Sequence, residues 1–304
     1  MSWYRIVLEL KSPLHVGDVP LGFVQRTRRY LPARSLWGAL TATKARQGAA
    51  FPEYGKIGEE IENRIKFTHF FAGVRSGEKY ESGEEYEFYL PNYGREETVM
   101  YGNLTCTGFE QRFITSFGQT ALDPDSLTAD DHSLHEKEVI SHLSIPLDRT
   151  EMPKPVLFCG YAYCENDNDA ELLCLLDGCQ VGADRRNGLG LVRIEGTEKK
   201  PVKMADDAKA WNPQGVTLSG NTLVIKSGTP FPCHVPIEDV VDGYGDIEFL
   251  QWRSWDGNSG AGQKGEFYCE IPCWVPGSAV KRDVTLVANG RGVFRSNEVT
   301  GNDQ

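Results

Sequence analysis

Two stretches that pair a strand with a helix, one at each end of the first 195 residues, constrain the fold of this 304-residue chain most strongly. Residues 4–10, YRIVLEL, predict a strand, and residues 33–48 carry apolar side chains at helical spacing. Residues 155–164 predict a second, apolar strand. A leucine-rich helix over residues 170–179 and a strand over residues 191–195 follow it. The chain therefore contains a strand–helix unit and, after a long intervening segment, a strand–helix–strand unit.

Together the two units have the split βαβ order of a ferredoxin-like (RRM-like) domain, so we predict an α+β fold whose first domain spans residues 1–199. Residues from about 50 to 153 are acidic and irregular, and they predict a large insertion that packs on this domain or projects from it. Residues 200–304 combine alternating residues with frequent glycines, which predicts a β-rich C-terminal lobe. This lobe could be a degenerate second copy of the first half, although the sequence shows no clear internal repeat.

Charge is distributed unevenly along the chain. The formal net charge of −11 and the pI near 5.1 argue at first against a nucleic-acid partner. Residues 1–50, however, carry eight basic and two acidic residues, a local balance of +6 that leaves −17 for the remaining 254 residues. One basic face on an acidic protein suits a polyanionic partner, and a merely solvated set of arginines is the alternative.

The first residues have no basic region followed by an apolar stretch, and no apolar run reaches membrane-spanning length, so we expect a cytoplasmic protein without a membrane partner. Eight scattered cysteines favour reduced core thiols over disulfides. Cys233, His234, Cys269 and Cys273 have the residue types of a metal site. The last two lie in an apolar segment, FYCEIPCWV, that predicts a strand. We therefore expect buried thiols rather than zinc, and no cofactor.

Residues 182–190, GADRRNGLG, place two arginines and three glycines between the second predicted helix and the strand that follows it. A dinucleotide-binding fingerprint would follow a strand and open a helix, and a P-loop would continue with Lys-Ser/Thr, so neither motif applies. Glycines let the main chain approach an anion, and Arg185 and Arg186 offer planar donors that Asp184 could orient. The alternative is a tight helix-to-strand turn with solvated arginines.

This segment resembles the glycine-rich loop of the RAMP superfamily, the RNA-binding Cas proteins of CRISPR systems. In that superfamily the loop lies between the last helix and last strand of a ferredoxin-like fold. Residues 8–17, LELKSPLHVG, resemble the first strand and its end, and residues 28–42, RRYLPARSLWGALTA, resemble the start of the first helix. The usual glycine after the proline is Ala33 here. Residues 120–140 are similar to a segment of type III effector subunits through Leu122, Asp123, Ala129, Leu134 and Glu138.

The resemblance implies a guide-RNA-binding (crRNA-binding) subunit of a type III CRISPR effector complex that acts in antiviral defence. Its partners would be the guide RNA, the paired target RNA and other effector subunits. The basic loop, the helix start and the glycine-rich loop would contact the RNA backbone. The residues expected to do so are Arg26, Arg28, Arg29, Arg34, Ser35, Lys44, Gly182, Arg185, Arg186, Gly188 and Gly190.

Two catalytic alternatives remain open within the same superfamily. Asp18, in the loop after the first strand, is a candidate for cutting target RNA, and His15 is a candidate for acid–base cleavage of a guide precursor. His132, His135 and His142 lie where the sequence predicts a loop entering a helix, and they are expected at the surface. A subunit that cuts no RNA is favoured over an endoribonuclease. A third alternative is an assembly subunit that no longer binds RNA.

Overall fold

The computed structural model describes residues 1–48, 53–76, 86–94, 98–126, 128–129, 132–211, 215–253 and 267–296, with side chains left aside at 251–253 and 267–271. Its helices are α1 (Ala33–Arg46), α2 (Tyr54–Arg64), α3 (Cys106–Phe113) and α4 (Ala170–Leu173), and its 3-10 turns are Asp167–Asp169, Cys174–Leu176, Arg185–Asn187 and Gly290–Gly292. Its strands are β1 (Ser2–Leu10), β2 (Val24–Gln25), β3 (Tyr30–Leu31), β4 (Ile65–Phe67), β5 (Phe70–Arg75), β6 (Tyr86–Phe88), β7 (Pro91–Tyr93), β8 (Val99–Tyr101), β9 (Leu104–Thr105), β10 (Ile114–Gln119), β11 (His135–Ile140), β12 (Leu157–Cys164), β13 (Val192–Ile194), β14 (Val202–Lys203), β15 (Ala208–Ala210), β16 (Val216–Ser219), β17 (Thr222–Ile225), β18 (Val235–Pro236), β19 (Gly243–Tyr244), β20 (Ile247–Arg253), β21 (Phe267–Trp274), β22 (Ala279–Val280), β23 (Val284–Ala288) and β24 (Phe294–Ser296).

The fold is mixed α/β and is organised around one central sheet. The main path of that sheet runs β13-β1-β12-β5-β3, and each neighbouring pair is antiparallel. β14, β4 and β6 add to β1, β12 and β5 respectively. Among the described elements, no helix is both long and apolar enough to cross a bilayer.

The central sheet is covered on both faces, so its inner strands are apolar on both sides. Alternate residues of β1, such as Ile6 and Leu8, pack with α1 and the segment around α4 in one core cluster. The intervening residues, such as Trp3 and Val7, join β12 in a second cluster with the strands that follow residue 200. All eight residues of β12 are buried, which is why PVLFCGYAYC shows no apolar–polar alternation.

The residues described after position 200 form three further sheets. The largest runs β15-β16-β17-β23-β24, and its inner side chains pack against the second face of the central sheet. The two smaller sheets are β18-β21-β20 and β19-β22. β20 matters for function because it brings a carboxylate from this lobe, Glu248, towards the basic loop near the N-terminus.

Residues 50–153 are organised differently from the single large insertion that the sequence predicted. α2 packs on α1, and β4 and β5 pair with β12 inside the central sheet, because the apolar run FTHFFAGV is buried between the two cores. The remaining described part forms α3 and two small sheets, β7-β8-β9 and β10-β11-β2. His135 begins strand β11, so the loop-to-helix prediction for this histidine segment is wrong.

The predicted helix over residues 170–179 is shorter than expected. α4 has only four residues and is flanked by the 3-10 turns Asp167–Asp169 and Cys174–Leu176. Asn166 caps the first of these turns through its side-chain oxygen. Gly178, at φ +81°, then turns the chain towards the glycine-rich loop.

Candidate functional site

A cavity of about 330 Å3 lies where the N-terminal end of α1, the basic loop, the glycine-rich loop and the C-terminal lobe meet. Three arginines, Arg28, Arg34 and Arg291, line it. Among the described residues that form its wall there is no carboxylate, although the chain contains 43 acidic residues. Further lining residues used below are Gly17, Tyr30, Ser35, His69, Gly182, Ala183 and His234.

The glycine-rich loop is held against the end of β1 by main-chain contacts. Gly182 has φ +78°, and the N–H of Ala183 donates to the carbonyl of His15 at 2.9 Å. A Cβ at position 182 would lie 2.4 Å from that carbonyl oxygen, and one at Gly190 would lie 1.9 Å from the carbonyl oxygen of Val181. These two glycines therefore permit the chain to approach its own backbone, which places the loop at the edge of the cavity.

The two arginines of this loop face solvent on the 3-10 turn Arg185–Asn187. Asp184, at φ +52°, forms an ion pair with Lys137 on β11. The expectation that Asp184 orients one of the arginines is therefore wrong, because the left-handed backbone turns its carboxylate to a neighbouring strand. The side-chain amide of Gln180 instead donates to the carbonyl of Arg185 at 2.9 Å and fixes the turn.

A second, shallow groove of about 300 Å3 runs from the glycine-rich loop along α1. Arg46 and Arg185 lie on its two sides, and Lys44 is exposed on the same last turn of α1. Gly188, at φ +82°, has open space where a side chain would stand. The groove is thus lined by cations of both α1 and the glycine-rich loop, and by Asp177, whose carboxylate pairs with Arg193.

Two arginines of the basic loop are neutralised within the chain. Arg29 forms an ion pair with Glu110 of α3, and Arg26 lies 3.6 Å from the same carboxylate. Arg26 also lies 3.7 Å from Glu138 of β11. Neither arginine lines the cavity. The positive charges of Arg26 and Arg29 therefore serve mainly to hold the basic loop in its position.

Arg28 is held by a carboxylate from the C-terminal lobe. Its two terminal nitrogens donate to the two oxygens of Glu248 at 2.9 and 3.0 Å, a bidentate arrangement, and one of them also donates to the Tyr30 hydroxyl at 2.9 Å. Asp18 lies 3.8 Å away on the other side. Arg28 thus ties the basic loop to β20.

A chain of hydrogen bonds continues from Glu248 to the start of α1. The N–H of Ala33 donates to His69 Nδ1 at 3.0 Å, so His69 carries its proton on Nε2 and donates it to His234 Nδ1 at 2.7 Å. His234 then carries its proton on Nε2 and donates to Glu248. One backbone amide therefore fixes the tautomers of both rings.

The protonation states agree with this direction of donation. Burial lowers the pKa of both histidines, and the pKa of His69 is lowered further by the neighbouring His234. Burial opposes ionisation of Glu248, but hydrogen bonds from His234 and Arg28 outweigh it and hold the pKa of that carboxyl at about 2. The chain thus consists of two neutral imidazoles that end on a charged carboxylate–guanidinium pair.

The catalytic candidates have partners of their own. Asp18 lies beside Arg28, as given above, and the His15 ring is buried with Nδ1 2.7 Å from the carbonyl oxygen of Glu138. Burial lowers the pKa of His15. The His135 ring contacts the carbonyl of Ser133 and the side chain of Gln119. Neither Asp18 nor His15, the two candidates for catalysis, is among the described residues that line the cavity.

The weak metal candidates do not converge among the described residues, where no group of three or more His, Cys, Asp or Glu side chains could hold an ion. Cys233 and Cys273 are buried, and burial raises the pKa of the Cys233 thiol well above its usual value. His234 is engaged by His69 and Glu248. The side chain of Cys269 lies outside the described residues.

Comparison with solved structures gives the fold a context. A chain of the type III-B Cmr-beta complex bound to cognate target RNA and AMPPnP superposes with a TM-score of 0.50 and 11% identity, over 91% of this chain and 86% of that chain. This chain shares its fold with a subunit of a type III CRISPR effector complex. At 11% identity this similarity shows the fold alone.

Other effector structures also align with this chain, with lower scores. Oligomeric Cmr4 from Pyrococcus furiosus aligns at 16% identity over 68% of this chain and 100% of that chain, with a TM-score of 0.32. The Csm3-Csm4 subcomplex of the type III-A interference complex aligns at 10% identity over 98% of this chain and 100% of that chain, with a TM-score of 0.38. No protein-family model and no curated protein matches the sequence.

Sequence reasoning missed the part of the cavity wall that comes from the C-terminal lobe. Arg291 lies in a short segment, NGRG, whose combination of glycine and arginine repeats that of the glycine-rich loop. That signal was available in the sequence. Glu248 and His69 carried no comparable signal, because each is a single polar residue in a strand-like segment whose partner lies far away in the chain.

Proposed function

We propose that this chain is a guide-RNA-binding subunit of a type III CRISPR effector complex and contacts the RNA backbone at the arginine-lined cavity and the groove beside α1. The observation that carries the proposal is a cavity lined by Arg28, Arg34 and Arg291 with no carboxylate in its described wall, in a chain of net charge −11 with a RAMP-type fold. Glu248 and Glu62 hold Arg28 and Arg291 from outside that wall. Guide RNA, paired target RNA and other effector subunits are the proposed partners. The structural neighbour in the Cmr-beta complex, which was solved with cognate target RNA, supports this assignment.

The finer assignment of a ferredoxin-like core belongs to the same proposal. Counting β4 and β5 as one interrupted strand, four strands lie in the spatial order last, first, third, second, and all neighbours are antiparallel. α1 and the helical segment around α4 pack on one face of these strands. This order is what a split βαβ arrangement requires, and it supports the domain of residues 1–199 with a C-terminal lobe at 200–304.

The proposed contacts divide the predicted arginines into two groups. Arg185 and Arg186 are exposed and face RNA directly, together with Lys44, whereas Arg34 and Ser35 act from the cavity wall. The basic-loop arginines act differently. Because Arg26, Arg28 and Arg29 are engaged by carboxylates, they hold the loop in place and contribute less to phosphate binding.

The main test is RNA binding by the double variant Arg185→Ala/Arg186→Ala. Fluorescence anisotropy with a labelled single-stranded RNA should show a loss of affinity of about 10- to 100-fold at low salt. The slope of log K against log salt should decrease by about 1.4, which is about 0.7 for each lost phosphate contact. The loss should be similar for RNAs of different sequence, because phosphate contacts carry no base information.

A matched control is the double variant Arg282→Ala/Arg295→Ala, which removes the same charge from the C-terminal lobe. Both side chains are about half exposed, at 56% and 44%, and neither lines the cavity. This control should bind RNA nearly as well as the unaltered chain. Equal losses in the two double variants would mean that only net charge matters and would contradict the proposed interface.

We also propose that this subunit binds RNA without cutting it. Asp18 is paired with Arg28, and one ring nitrogen of His15 is occupied by a backbone carbonyl, so neither group is presented to a ligand in the cavity. The endoribonuclease alternative would require one of these groups to be released from its partner.

A further inference from the structure

The C-terminal lobe contributes to the cavity through the turn Gly290–Gly292, a second glycine–arginine segment that lies about a hundred residues after the first. Arg291 stands at φ +63°, a left-handed conformation that L-residues other than asparagine and aspartate rarely adopt. The glycines on both sides of Arg291 allow the turn to pack closely against the N-terminal domain. A Cβ at Gly292 would lie 2.4 Å from His69 Cε1, and one at Gly290 would lie 2.2 Å from a carboxylate oxygen of Glu62.

The turn is held by three contacts, one within the C-terminal lobe and two to the N-terminal domain. The carbonyl of Gly292 accepts a hydrogen bond from the N–H of His234 at 3.0 Å, which joins the turn to the histidine chain. The guanidinium of Arg291 lies 5.2 Å from the centre of the Trp37 ring on α1. Its Nε and one terminal nitrogen donate to Glu62 of α2 at 3.1 and 2.9 Å. The side chain is thus oriented from one side while it lines the cavity on the other.

Arg291 is thus a residue in a strained backbone conformation at the wall of a cavity, and such residues cluster at ligand-binding sites. The cavity is also lined by Arg34, by Gly182 and Ala183, and by Arg28, whose guanidinium is held by Glu248. A volume of about 330 Å3 is at the small end of ligand pockets, which span ~300–1,000 Å3. Such a cavity can accept one chemical group of a polymeric ligand but not a nucleic-acid duplex. The ligand chemistry that matches convergent guanidinium groups and main chain is a phosphate.

We propose that Arg291 binds one phosphodiester group of the RNA, so that the RNA-binding site is composite and needs both lobes. This inference rests on the proposed function and extends it to the C-terminal lobe, which the sequence had left without a role. Glu62 acts as a positioning residue, because it orients the guanidinium but competes for its charge.

The test compares Arg291→Ala, Arg291→Lys and Glu62→Gln in the full chain, with a labelled single-stranded RNA as the probe. Arg291→Ala should weaken binding about tenfold and lower the salt slope by about 0.7, the value for one phosphate contact on a single strand. Arg291→Lys should retain most of the slope. Arg295→Ala, on neighbouring strand β24 and outside the cavity, serves as the matched control and should change neither quantity.

Glu62→Gln separates phosphate binding from a purely structural role. If Arg291 contacts phosphate, removal of the competing carboxylate leaves RNA affinity unchanged or up to several-fold tighter, even where the melting temperature falls. If Arg291 only holds the lobes together, Glu62→Gln and Arg291→Ala lower RNA affinity alike, and the inference is overturned. It is likewise overturned if Arg291→Ala matches Arg295→Ala while the unaltered chain binds RNA. Absence of RNA binding by the unaltered chain at low salt would instead refute the proposed function itself.

Discussion

Replacement of Glu248 by glutamine tests how firmly the two lobes are joined. The fall of the Glu248 pKa from 4.5 to about 2 corresponds to about 3 kcal/mol of folding free energy at neutral pH. Glutamine can still accept one hydrogen bond, and the carboxylate is 23% exposed, so water recovers part of the loss. We therefore expect Glu248→Gln to lower the free energy of unfolding by about 2 kcal/mol at pH 7.

The pH dependence has a defined sign. Because the pKa of Glu248 is lower in the folded chain than in the unfolded chain, its contribution is complete above about pH 5 and is lost as the pH falls from 4.5 towards 2. The difference in unfolding free energy between the unaltered chain and Glu248→Gln should therefore shrink by about half at pH 3.

Urea denaturation followed by tryptophan fluorescence and circular dichroism at pH 7 and pH 3 would measure both quantities. Glu238→Gln is the matched control, because Glu238 pairs with Arg295 at 3.2 Å but is 57% exposed, and an exposed pair contributes under about 1 kcal/mol. Equal effects of the two variants at pH 7, or a Glu248 effect that does not change with pH, would refute the argument that the interlobe carboxylate is held in its charged state.

Three further predictions follow from the site. Gly182→Ala should destabilise the chain by about 2–3 kcal/mol in urea denaturation, because its Cβ would meet the carbonyl of His15. Gly188 has a similar φ but open space around it, so Gly188→Ala should cost only about 1 kcal/mol. Equal costs for the two variants would contradict the packing argument. The unaltered chain and Asp18→Asn should both leave a labelled guide–target RNA duplex intact in the presence of Mg2+, and cleavage that the substitution abolishes would support the endoribonuclease alternative. Because burial lowers the pKa of His69, the unfolded chain binds a proton at His69 more readily than the folded chain, and the free energy of unfolding decreases as the pH is lowered below about 6.5. His69→Gln should reduce that decrease between pH 6.5 and 5. An unchanged pH profile of the unfolding free energy would argue against the neutral histidine chain.

The sequence predicted those parts of the fold whose signals are local. β1 and α1 are long and patterned, β12 is a long apolar run, and each lies within a few residues of its predicted position. β4 and β5 were hidden because an apolar run surrounded by acidic residues has no periodicity that marks it as part of the central sheet.

The site shows the same division between local and distant signals. Glycine and arginine composition pointed to the glycine-rich loop, and the structure places that loop at the cavity. The pairing of Asp184 with Lys137 could not be predicted, since it depends on which strand lies beside the loop. The chain from Ala33 through His69 to Glu248 joins residues more than 200 positions apart, and no sequence spacing encodes such a contact.

The order of the central sheet has a consequence for how the chain reaches its native state during synthesis. Leu8 on β1 pairs with Phe158 on one side and with Ile194 on the other, so both neighbours of β1 are encoded at least 150 residues after it. Pairings of such high contact order form slowly and expose strand edges while they wait. β1 therefore stays without a partner in the central sheet until residues 157–164 have been made, and a chaperone or a rapidly formed α1–α2 pair would have to protect it until then.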